Sequence, residues 1–321
     1  MTSTVSTFGI QLFSTANLQN ELTNINLLTQ QLASGQQHTN LTDYAPVDAQ
    51  RLVSFQNAIT QRQAYIGSMQ TVNARLKIYD NTMSDMESLA AQANSLATQN
   101  QTLDPTKVGN IQTQVQSYMQ QVVNDLNQQV GNRYIYAGTR YSTQPVNLTA
   151  VLTGAPGALV TANTLPPYDS EYNPPTTTTD AKAWAQDSVT IDANFNLQYG
   201  VTSVQKGFQE LISGMQYINA ATQTNNPTTY QSDMTQATQL LTQGLTDIQT
   251  YHTGVAAAMN TITQETDTQN TDINNLKSQI GDIQNIDVAQ VGTMLNTLQA
   301  QLQASYSATA TLTQESILKY L

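Results

Sequence analysis

The sequence contains no cysteine. Disulfide scaffolds, cysteine-based zinc sites, iron–sulfur clusters and thiol catalysis are therefore excluded. The absence fits a cytosolic protein that has no use for thiols. It fits equally a protein that passes between compartments unfolded, because a chance disulfide would block that passage. The absence alone does not separate these two interpretations.

Charged residues and long apolar runs are scarce as well. Asp, Glu, Lys and Arg make up 10% of the chain, compared with roughly 25% in ordinary soluble domains. The net charge is −11 and the 11 basic residues are scattered, whereas nucleic-acid recognition needs clustered Lys and Arg. No apolar run approaches the ~20 residues of a membrane helix, and Met1–Ile10 lacks the features of a secretory signal. We expect no nucleic-acid partner, no membrane insertion and no Sec-type export.

Patterns typical of enzymes are missing too. The two histidines, His38 and His252, are far apart in sequence, and neither belongs to a metal-ligand pattern such as His-x-x-x-His. There is no Gly-x-Ser-x-Gly elbow and no Gly-rich phosphate loop. The acidic residues are dispersed, so no carboxylate pair stands out for acid–base catalysis. We therefore expect a protein that is not an enzyme and that needs no cofactor or metal.

What the chain does have is a regular apolar row near each end. The spacing of three and four residues predicts a narrow helical stripe of the kind that packs in coiled coils. We interpret both rows, together with Leu318, as an assembly interface, and an intramolecular bundle core is the alternative. The N-terminal row is Leu18, Leu22, Ile25 and Leu32, and the C-terminal row is Val291, Leu295, Leu298, Leu302, Ser305, Thr309 and Leu312.

Between the ends, helical periodicity dominates. A first helix is expected over about 12–33, ending at Ser34-Gly35, and a long one over about 52–96. Asp104-Pro105 predicts the start of a helix that ends at Gly131. Helix resumes near Val204, breaks at 225–227, and continues as a long segment over about 234–280 that Gly281-Asp282 interrupts.

The middle of the chain differs in character. Six of the nine prolines fall within 145–175, and 189–191 and 195–201 read as two short strands. The sequence therefore predicts a mainly α protein: an elongated helical bundle with coiled-coil terminal helices and a small β-rich inserted domain. We expect a terminal assembly domain (1–42 with 287–321), a long helical bundle (43–140 with 200–286) and a β-rich outer insertion (141–199).

Two turns carry a family resemblance. The stretch from Leu32 to Pro46 is similar to the turn that follows the first helix in the flagellin superfamily of bacterial axial proteins, with Gln36 where that family usually has Arg. The stretch from Ile283 to Ala289, which contains Asp287, is similar to the acidic turn before the last helix of these proteins. Because each turn lies beside a terminal apolar row, the chain resembles this superfamily over nearly its whole length except the insertion.

Within that superfamily, the hook-associated proteins of type 3, which form the hook–filament junction, are the most similar group. Their usual Gly-Arg-Tyr-aromatic-Ala-Gly-Thr segment resembles 132–139, and their Leu-Asp-Tyr-Leu ending resembles 318–321, with Lys319 in place of the acid. The motif residues carried over are Arg133, Tyr134, Tyr136, Gly138, Thr139 and Asp287. By alternation, Tyr134 and Tyr136 are expected on one face of a strand.

The resemblance implies a structural subunit of the bacterial flagellum that joins hook to filament and templates flagellin assembly. The implied partners are other copies of the chain, the hook-side junction protein, flagellin and a flagellar export chaperone. The implied location is extracellular, after export through the flagellar type III apparatus without a cleaved signal. Three alternatives stay open: a filament flagellin, a surface adhesin whose insertion binds a ligand on a helical stalk, and a translocator or needle-tip protein of a virulence secretion system.

Overall fold

The computed structural model describes residues 2–156 and 185–318, with side chains over 12–156 and 185–311. Within these ranges the chain forms seven α-helices and one two-stranded antiparallel sheet, so the prediction of a mainly α fold with a small β element is confirmed. The elements in chain order are α1 Thr2–Ser34, α2 Pro46–Gln99, α3 Val108–Leu126, α4 Leu148–Thr153, β1 Asp187–Asp192, β2 Phe195–Tyr199, α5 Lys206–Ala221, α6 Pro227–Gln284 and α7 Val288–Leu318.

The chain divides into two compact units. We call residues 1–61 and 271–321 the terminal unit, and residues 62–270 the central unit. The unit boundaries fall within α2 and within α6, whereas the sequence suggested boundaries at 42/43 and 286/287. The predicted division into three domains stays a prediction, and the two units are described separately below.

The terminal unit is built on the contact between α1 and α7. α1 ends where the sequence predicts, because Gly35 adopts a positive φ of 72° that residues with a side chain rarely take. α2 begins at Pro46, a residue whose fixed φ suits the first helical position. Among the described residues of this unit, buried hydrophobic side chains are few: Tyr44, Leu52, Ile273 and Val291.

The central unit contains the dense core of the protein. α3 and α5 pack against each other, and α4 packs against both. Nearly every residue of α5 is buried, because the helix is covered on several sides. Close approach between α5 and α6 depends on glycine: a Cβ at Gly244 would lie 2.9 Å from the backbone oxygen of Gly207 and 2.9 Å from the backbone nitrogen of Leu211.

The two predicted strands are confirmed. β1 and β2 form an antiparallel hairpin in which Val189 pairs with Leu197. Ile191 and Tyr199 turn inward and are buried in the core of the central unit. The rest of the predicted insertion is only partly described, because residues 157–184 lie outside the described ranges. Its described beginning is not peripheral, since Val146 and Val151 of the α4 region are fully buried.

Three predicted helix boundaries are wrong. The Asp104 carboxylate accepts hydrogen bonds from the backbone N–H and the hydroxyl of Thr106, which closes a turn before α3 instead of capping it. α3 ends at Leu126 and not at Gly131, because the Asn127 side chain pairs with both backbone groups of Val146.

The third wrong boundary is the predicted interruption at Gly281-Asp282. The helix α6 runs through both residues, and the Gly281 carbonyl accepts a hydrogen bond from the backbone N–H of Asn285. The chain leaves the helix only at Asn285. There the backbone N–H of Ile286 bonds instead to the carbonyl of Gly35.

Candidate functional site

The first and last helices form an antiparallel pair within the terminal unit. Each helix turns one row of side chains toward the other, spaced by three and four residues, as in a coiled coil. The less exposed side chains are Ser14, Leu18, Glu21, Ile25, Leu28 and Gln31 on α1 and Val291, Leu295, Leu298, Leu302, Ser305 and Thr309 on α7. Both rows are mostly half-buried rather than buried, because each helix of the pair is covered mainly by the other.

Polar contacts fix the register of this pair. The hydroxyl oxygens of Ser14 and Thr309 lie 2.8 Å apart. Closer to the turns, the Ser305 hydroxyl donates to Glu21 Oε1 at 3.2 Å. A slide by one helical turn would separate both pairs, so these contacts specify one alignment of otherwise repetitive apolar rows.

The two turns singled out in the sequence are brought together in space. Gln36 and Asn285 form an antiparallel bridge. The Gln37 N–H donates to the Gln284 carbonyl at 2.7 Å, and the Ile286 N–H donates to the Gly35 carbonyl at 3.1 Å. The Asp287 carboxylate then caps α7 by accepting from the N–H groups of Ala289 and Gln290. The first helix thus ends, and the last begins, at one hydrogen-bonded junction.

The α1–α7 pair leaves much of its apolar surface uncovered. On α1, Leu12, Phe13 and Leu27 are 57%, 69% and 47% exposed. With 3.6 residues per turn, they fall outside the row that faces α7. On α7, Met294 is 47% exposed and Tyr306 51%. Exposed apolar residues are normal when scattered singly, but several on two paired helices form a larger uncovered apolar surface.

Part of this uncovered surface is an open apolar groove of about 520 Å³. Leu28, Met294 and Leu298 supply its hydrophobic side chains. Thr293 and Thr297 also line it, and both hydroxyls bond to carbonyls of their own helix, at Ala289 and Thr293. Their hydrogen-bonding capacity is therefore partly used within the helix, and they present methyl groups beside the leucines.

The structure brings together most, but not all, of the residues predicted as an assembly interface. Leu18 and Ile25 face α7, and the C-terminal row from Val291 to Leu302 faces α1. Leu22 and Leu32 are exposed, at 40% and 38%. Leu312 and Leu318 belong to α7, but their side chains lie outside the described residues. The contacts within one chain neither test nor replace contacts between copies, and the interface stays a prediction.

The predicted strand at 133–136 is wrong. Residues 135–137 form a short 3₁₀ turn in which Ile135 and Tyr136 are both buried, so side chains do not alternate between two faces. The cause is local: Gly131 and Asn132 adopt positive φ angles, which fold the chain back on itself. Gly138 also has a positive φ of 63°, which residues with a side chain rarely adopt.

Arg133 and Tyr134, two residues of the family motif, connect this segment to the β hairpin and to Tyr141. The Arg133 guanidinium pairs with the Asp187 carboxylate and stacks 3.2 Å above the ring of Tyr141. The Tyr141 hydroxyl donates to the other oxygen of Asp187 at 2.8 Å. The backbone N–H of Tyr134 bonds to the Tyr141 carbonyl at 2.9 Å. Arg133 and Tyr134 thus act inside the central unit, and Thr139 beside them is half-buried.

Tyr136 belongs to a buried aromatic row. Its ring packs edge-on against Tyr79 at 4.8 Å and against Phe208 at 5.6 Å between centroids. Its hydroxyl lies 2.6 Å from that of Thr82, and the Tyr79 hydroxyl donates to the Ile135 carbonyl. Burial raises the pKa of both tyrosines, so both stay protonated donors. The motif aromatic is therefore a core residue and cannot contact a partner directly.

Sequence reasoning missed the exposed apolar side chains of the pair. Neither predicted row includes Leu12, Phe13, Leu27 or Met294, because the rows were predicted from the three- and four-residue spacing alone. A signal was present: α1 is apolar on more than one side, which is typical of a helix with more than one neighbour.

Comparison with known proteins agrees with this description. Residues 238–321 match the family model described as the bacterial flagellin C-terminal helical region. This segment is flagellin-like. It comprises most of α6 and all of α7, hence one complete half of the α1–α7 pair. A search of curated protein sequences gave no significant match.

Two of the solved structures that match this chain have low sequence identity to it. One, from Vibrio parahaemolyticus and provisionally described as a flagellar hook-associated protein, has a TM-score of 0.54 and 15% identity, with 76% of this chain and 100% of that chain covered. The other, FlgL from Bacillus cereus, has a TM-score of 0.48 and 16% identity, with 70% and 99% covered. At this identity, the likeness to the Vibrio protein shows a shared fold.

The described residues offer neither a metal site nor a membrane-spanning helix. In residues 2–156 and 185–318, no group of three or more His, Asp or Glu side chains is arranged to hold a metal ion. Over the same residues, no helix combines the length and the apolar character that crossing a bilayer needs. The uncovered apolar side chains of the α1–α7 pair make it the candidate functional site of the described chain.

Proposed function

We propose that this protein is a structural subunit of the bacterial flagellum that assembles through its paired terminal helices. The observation that carries the proposal is the uncovered apolar surface of the α1–α7 pair. Folding alone leaves Leu12, Phe13 and Leu27 in water, and burying a large apolar side chain fully is worth about 1.5–3 kcal/mol. Contact with further copies would gain that free energy. The flagellin-like segment at 238–321 supports a flagellar setting for such contacts.

Within the flagellum, the proposed position is the junction between hook and filament. The resemblance of residues 132–139 and of the last four residues to hook-associated proteins of type 3 supports this position. The fold shared with the Vibrio protein, provisionally described as hook-associated, supports it as well. The proposed partners are further copies of the chain, the hook-side junction protein, flagellin and an export chaperone, and the proposed export route is the flagellar type III apparatus.

A second candidate function is the filament flagellin itself. One observation favours it: the family model that matches residues 238–321 is described as the C-terminal region of flagellin. Both functions would use the terminal helices in the same way. They differ in copy number, because a filament contains one subunit type along its whole length whereas a junction is short.

The abundance of the chain in purified flagella separates these candidates. Flagella are sheared from the source bacterium, and the chain is quantified by mass spectrometry in the filament fraction and in a fraction enriched in hooks. A junction subunit is a trace component whose share increases in the hook fraction. A flagellin is the dominant protein of the filament fraction.

Deletion of the gene gives an independent readout. Loss of a junction subunit should leave hooks in place but release flagellin into the medium as monomer. Loss of a flagellin should leave hooks without any flagellin-sized protein in the medium. If flagella form normally and the chain is absent from both fractions, the flagellar proposal is wrong.

A further inference from the structure

His252 lies between two carboxylates in the central unit. Its Nδ1 is 2.7 Å from Glu87 Oε1, and its Nε2 is 2.9 Å from Asp80 Oδ1. The histidine belongs to α6, and both carboxylates belong to α2. The side chains of His252 and Glu87 are 23% and 24% exposed, and that of Asp80 is 45% exposed. The contacts are therefore only partly screened by water.

The neutral and charged forms of the His252 ring differ in how many of the two carboxylates they can donate to. A neutral imidazole has one N–H donor and one bare nitrogen, whereas an ionised carboxylate can only accept. A neutral His252 could therefore satisfy one of its two neighbours and would set a lone pair against the other. Only the imidazolium donates at both nitrogens, so the charged ring satisfies both carboxylates and the neutral ring satisfies one.

The two contacts also fix how α6 lies along α2 within the central unit. Asp80 and Glu87 are seven residues apart, which corresponds to about 10.5 Å along a helix. One ring that reaches both carboxylates must lie between them, and a slide of α6 by one turn would break both contacts. Apolar packing alone tolerates such a slide better, because its side chains recur at every turn.

The other charges on the surrounding elements form separate groups. From α5, Lys206 pairs with Glu210 at 2.7 Å and lies 3.8 Å from Asp247 of α6. Between α2 and α3, Asp85 acts on Asp125. On α6 itself, the hydroxyl of Tyr251 accepts from the backbone N–H of Gly207. Asp80 and Glu87 are thus the charged groups that act on the His252 ring.

We infer that His252, Asp80 and Glu87 form a pH-sensitive clamp that holds α6 in register on α2. The clamp is closed when the ring is charged and loses one of its two contacts when the ring releases its proton. The central unit therefore becomes less stable as the pH rises from mildly acidic to alkaline values. This inference concerns the central unit alone and does not depend on the flagellar function.

The direction of the effect agrees with the surroundings of the ring. Burial lowers the pKa of His252, but the hydrogen bonds to Asp80 and Glu87 outweigh it and raise the pKa above its usual value. For a group whose folded pKa is raised, the stabilising contribution is complete below the unfolded pKa of about 6.5. The contribution is lost as the pH rises through the folded pKa.

The test compares thermal unfolding of the full chain and two variants across a pH series from about 5.5 to 9, a range that spans the usual histidine pKa. The variants are His252→Gln, which keeps a polar side chain of similar reach, and His38→Gln as the matched control. Because Asp125 also titrates in this range, the readout is the difference in Tm between wild type and variant. We expect that difference to be largest at pH 5.5–6 and to shrink at alkaline pH for His252→Gln, and to be constant for His38→Gln.

A second measurement remains informative if His252→Gln fails to fold. The ring protons of His252 are followed by NMR in the wild-type chain and in Glu87→Gln. The wild-type titration midpoint should lie above about 6.5, the usual value for histidine, and Glu87→Gln should lower it. A midpoint at or below 6.5, or a Tm difference that does not change with pH, would overturn the inference.

Discussion

The terminal and central units use apolar side chains in opposite ways. In the central unit, α3 and α5 bury Met119, Phe208 and Met215 completely. In the terminal unit, α1 and α7 leave Leu12, Phe13 and Met294 about half exposed or more. The difference is not one of composition, because both units draw on the same Gln-, Thr- and Asn-rich sequence with regularly spaced apolar residues. The difference lies in how many neighbours cover each helix. The helices of the central unit have neighbours on several sides, whereas α1 and α7 have each other.

This contrast shows in which unit folding alone buries the apolar side chains. A helix whose apolar side chains are all covered gains its full hydrophobic free energy within the chain. The α1–α7 pair gains only part of it, and the remainder is available to a partner. If assembly uses the uncovered side chains, as proposed, a substitution should affect either stability or assembly according to the unit in which it lies.

The largest expected difference between the units is in amide hydrogen exchange. Local opening costs little free energy where few apolar contacts must be broken. Amides of α1 in the monomeric protein should therefore exchange orders of magnitude faster than those of α5. Exchange measured by mass spectrometry on peptides from each helix tests this. Equal protection of the two helices would mean that the terminal pair is as stable as the core.

The same substitution should have unequal effects in the two units. Phe208→Ala removes a fully buried ring and should cost about 3–5 kcal/mol of unfolding free energy. Phe13→Ala removes a ring that is 69% exposed, and exposed sites usually change stability by about 0.5 kcal/mol or less. Urea unfolding followed by circular dichroism provides both values. Similar costs for the two variants would contradict the contrast between the units.

Two glycines of α6 should respond oppositely to a methyl group. At Gly244, a Cβ would meet the backbone of α5 at 2.9 Å, and overpacking of this kind costs about 1–3 kcal/mol. At Gly254, no atom lies within 4 Å of the added Cβ, so Gly254→Ala should stabilise the helix by roughly 0.5–1 kcal/mol. Thermal unfolding of both variants measures the two signs. A stable Gly244→Ala would show that α5 and α6 do not approach as closely as described.

The smallest effect concerns Asp125, which is half-buried in α3. Burial and the charge of Asp85 raise its pKa to about 6. Because the folded pKa is above the usual value, the loss of stability is complete above about pH 6 and is relieved progressively as the pH falls from there toward the usual value of 3.8. Asp125→Asn should therefore stabilise the protein at pH 7–8, by on the order of 1 kcal/mol after solvent screening.

The matched measurements for Asp125 are made at about pH 4.5 and with Asp85→Asn. At pH 4.5, between the usual value of 3.8 and the raised pKa near 6, the gain from Asp125→Asn should be clearly smaller than at pH 7–8. Asp85→Asn, which removes the repelling neighbour, should also stabilise the protein at pH 7–8. A gain from Asp125→Asn that is the same at both pH values would mean that ionisation is not its cause.

The elements that depend on periodicity could be predicted from the sequence. The C-terminal row from Val291 to Thr309 recurs with the spacing that the α1–α7 contact uses. The hairpin was also predicted correctly, because alternation and the Asp192–Asn194 turn are both local signals. The long helices were predicted for the same reason, and the prolines at 46 and 227 begin two of them.

The elements that depend on distant partners could not be predicted. α3 ends at Leu126 because the Asn127 side chain bonds to the backbone of Val146. α6 continues through Gly281 and ends only where the N–H of Ile286 bonds to the carbonyl of Gly35. The segment after Asn132 alternates like a strand but folds into a turn that inserts Tyr136 beside Phe208. In each case a contact across many residues outweighs the local pattern. The same applies to Leu22, whose spacing suggested the row facing α7 but whose side chain is exposed.

The most direct test of the central claim is the incorporation of charged variants of the α1–α7 pair into flagella. Leu27→Asp changes an exposed apolar residue of α1, and Leu302→Asp changes a half-buried residue of α7 that faces α1. Asn26→Asp adds the same charge at an exposed polar position next to Leu27. Each variant is purified, its central unit is checked by near-ultraviolet circular dichroism, and its presence in sheared flagella is measured. The account predicts that all three keep a folded central unit, that Asn26→Asp is incorporated normally, and that Leu27→Asp and Leu302→Asp are not. Normal incorporation of Leu27→Asp and Leu302→Asp would contradict it.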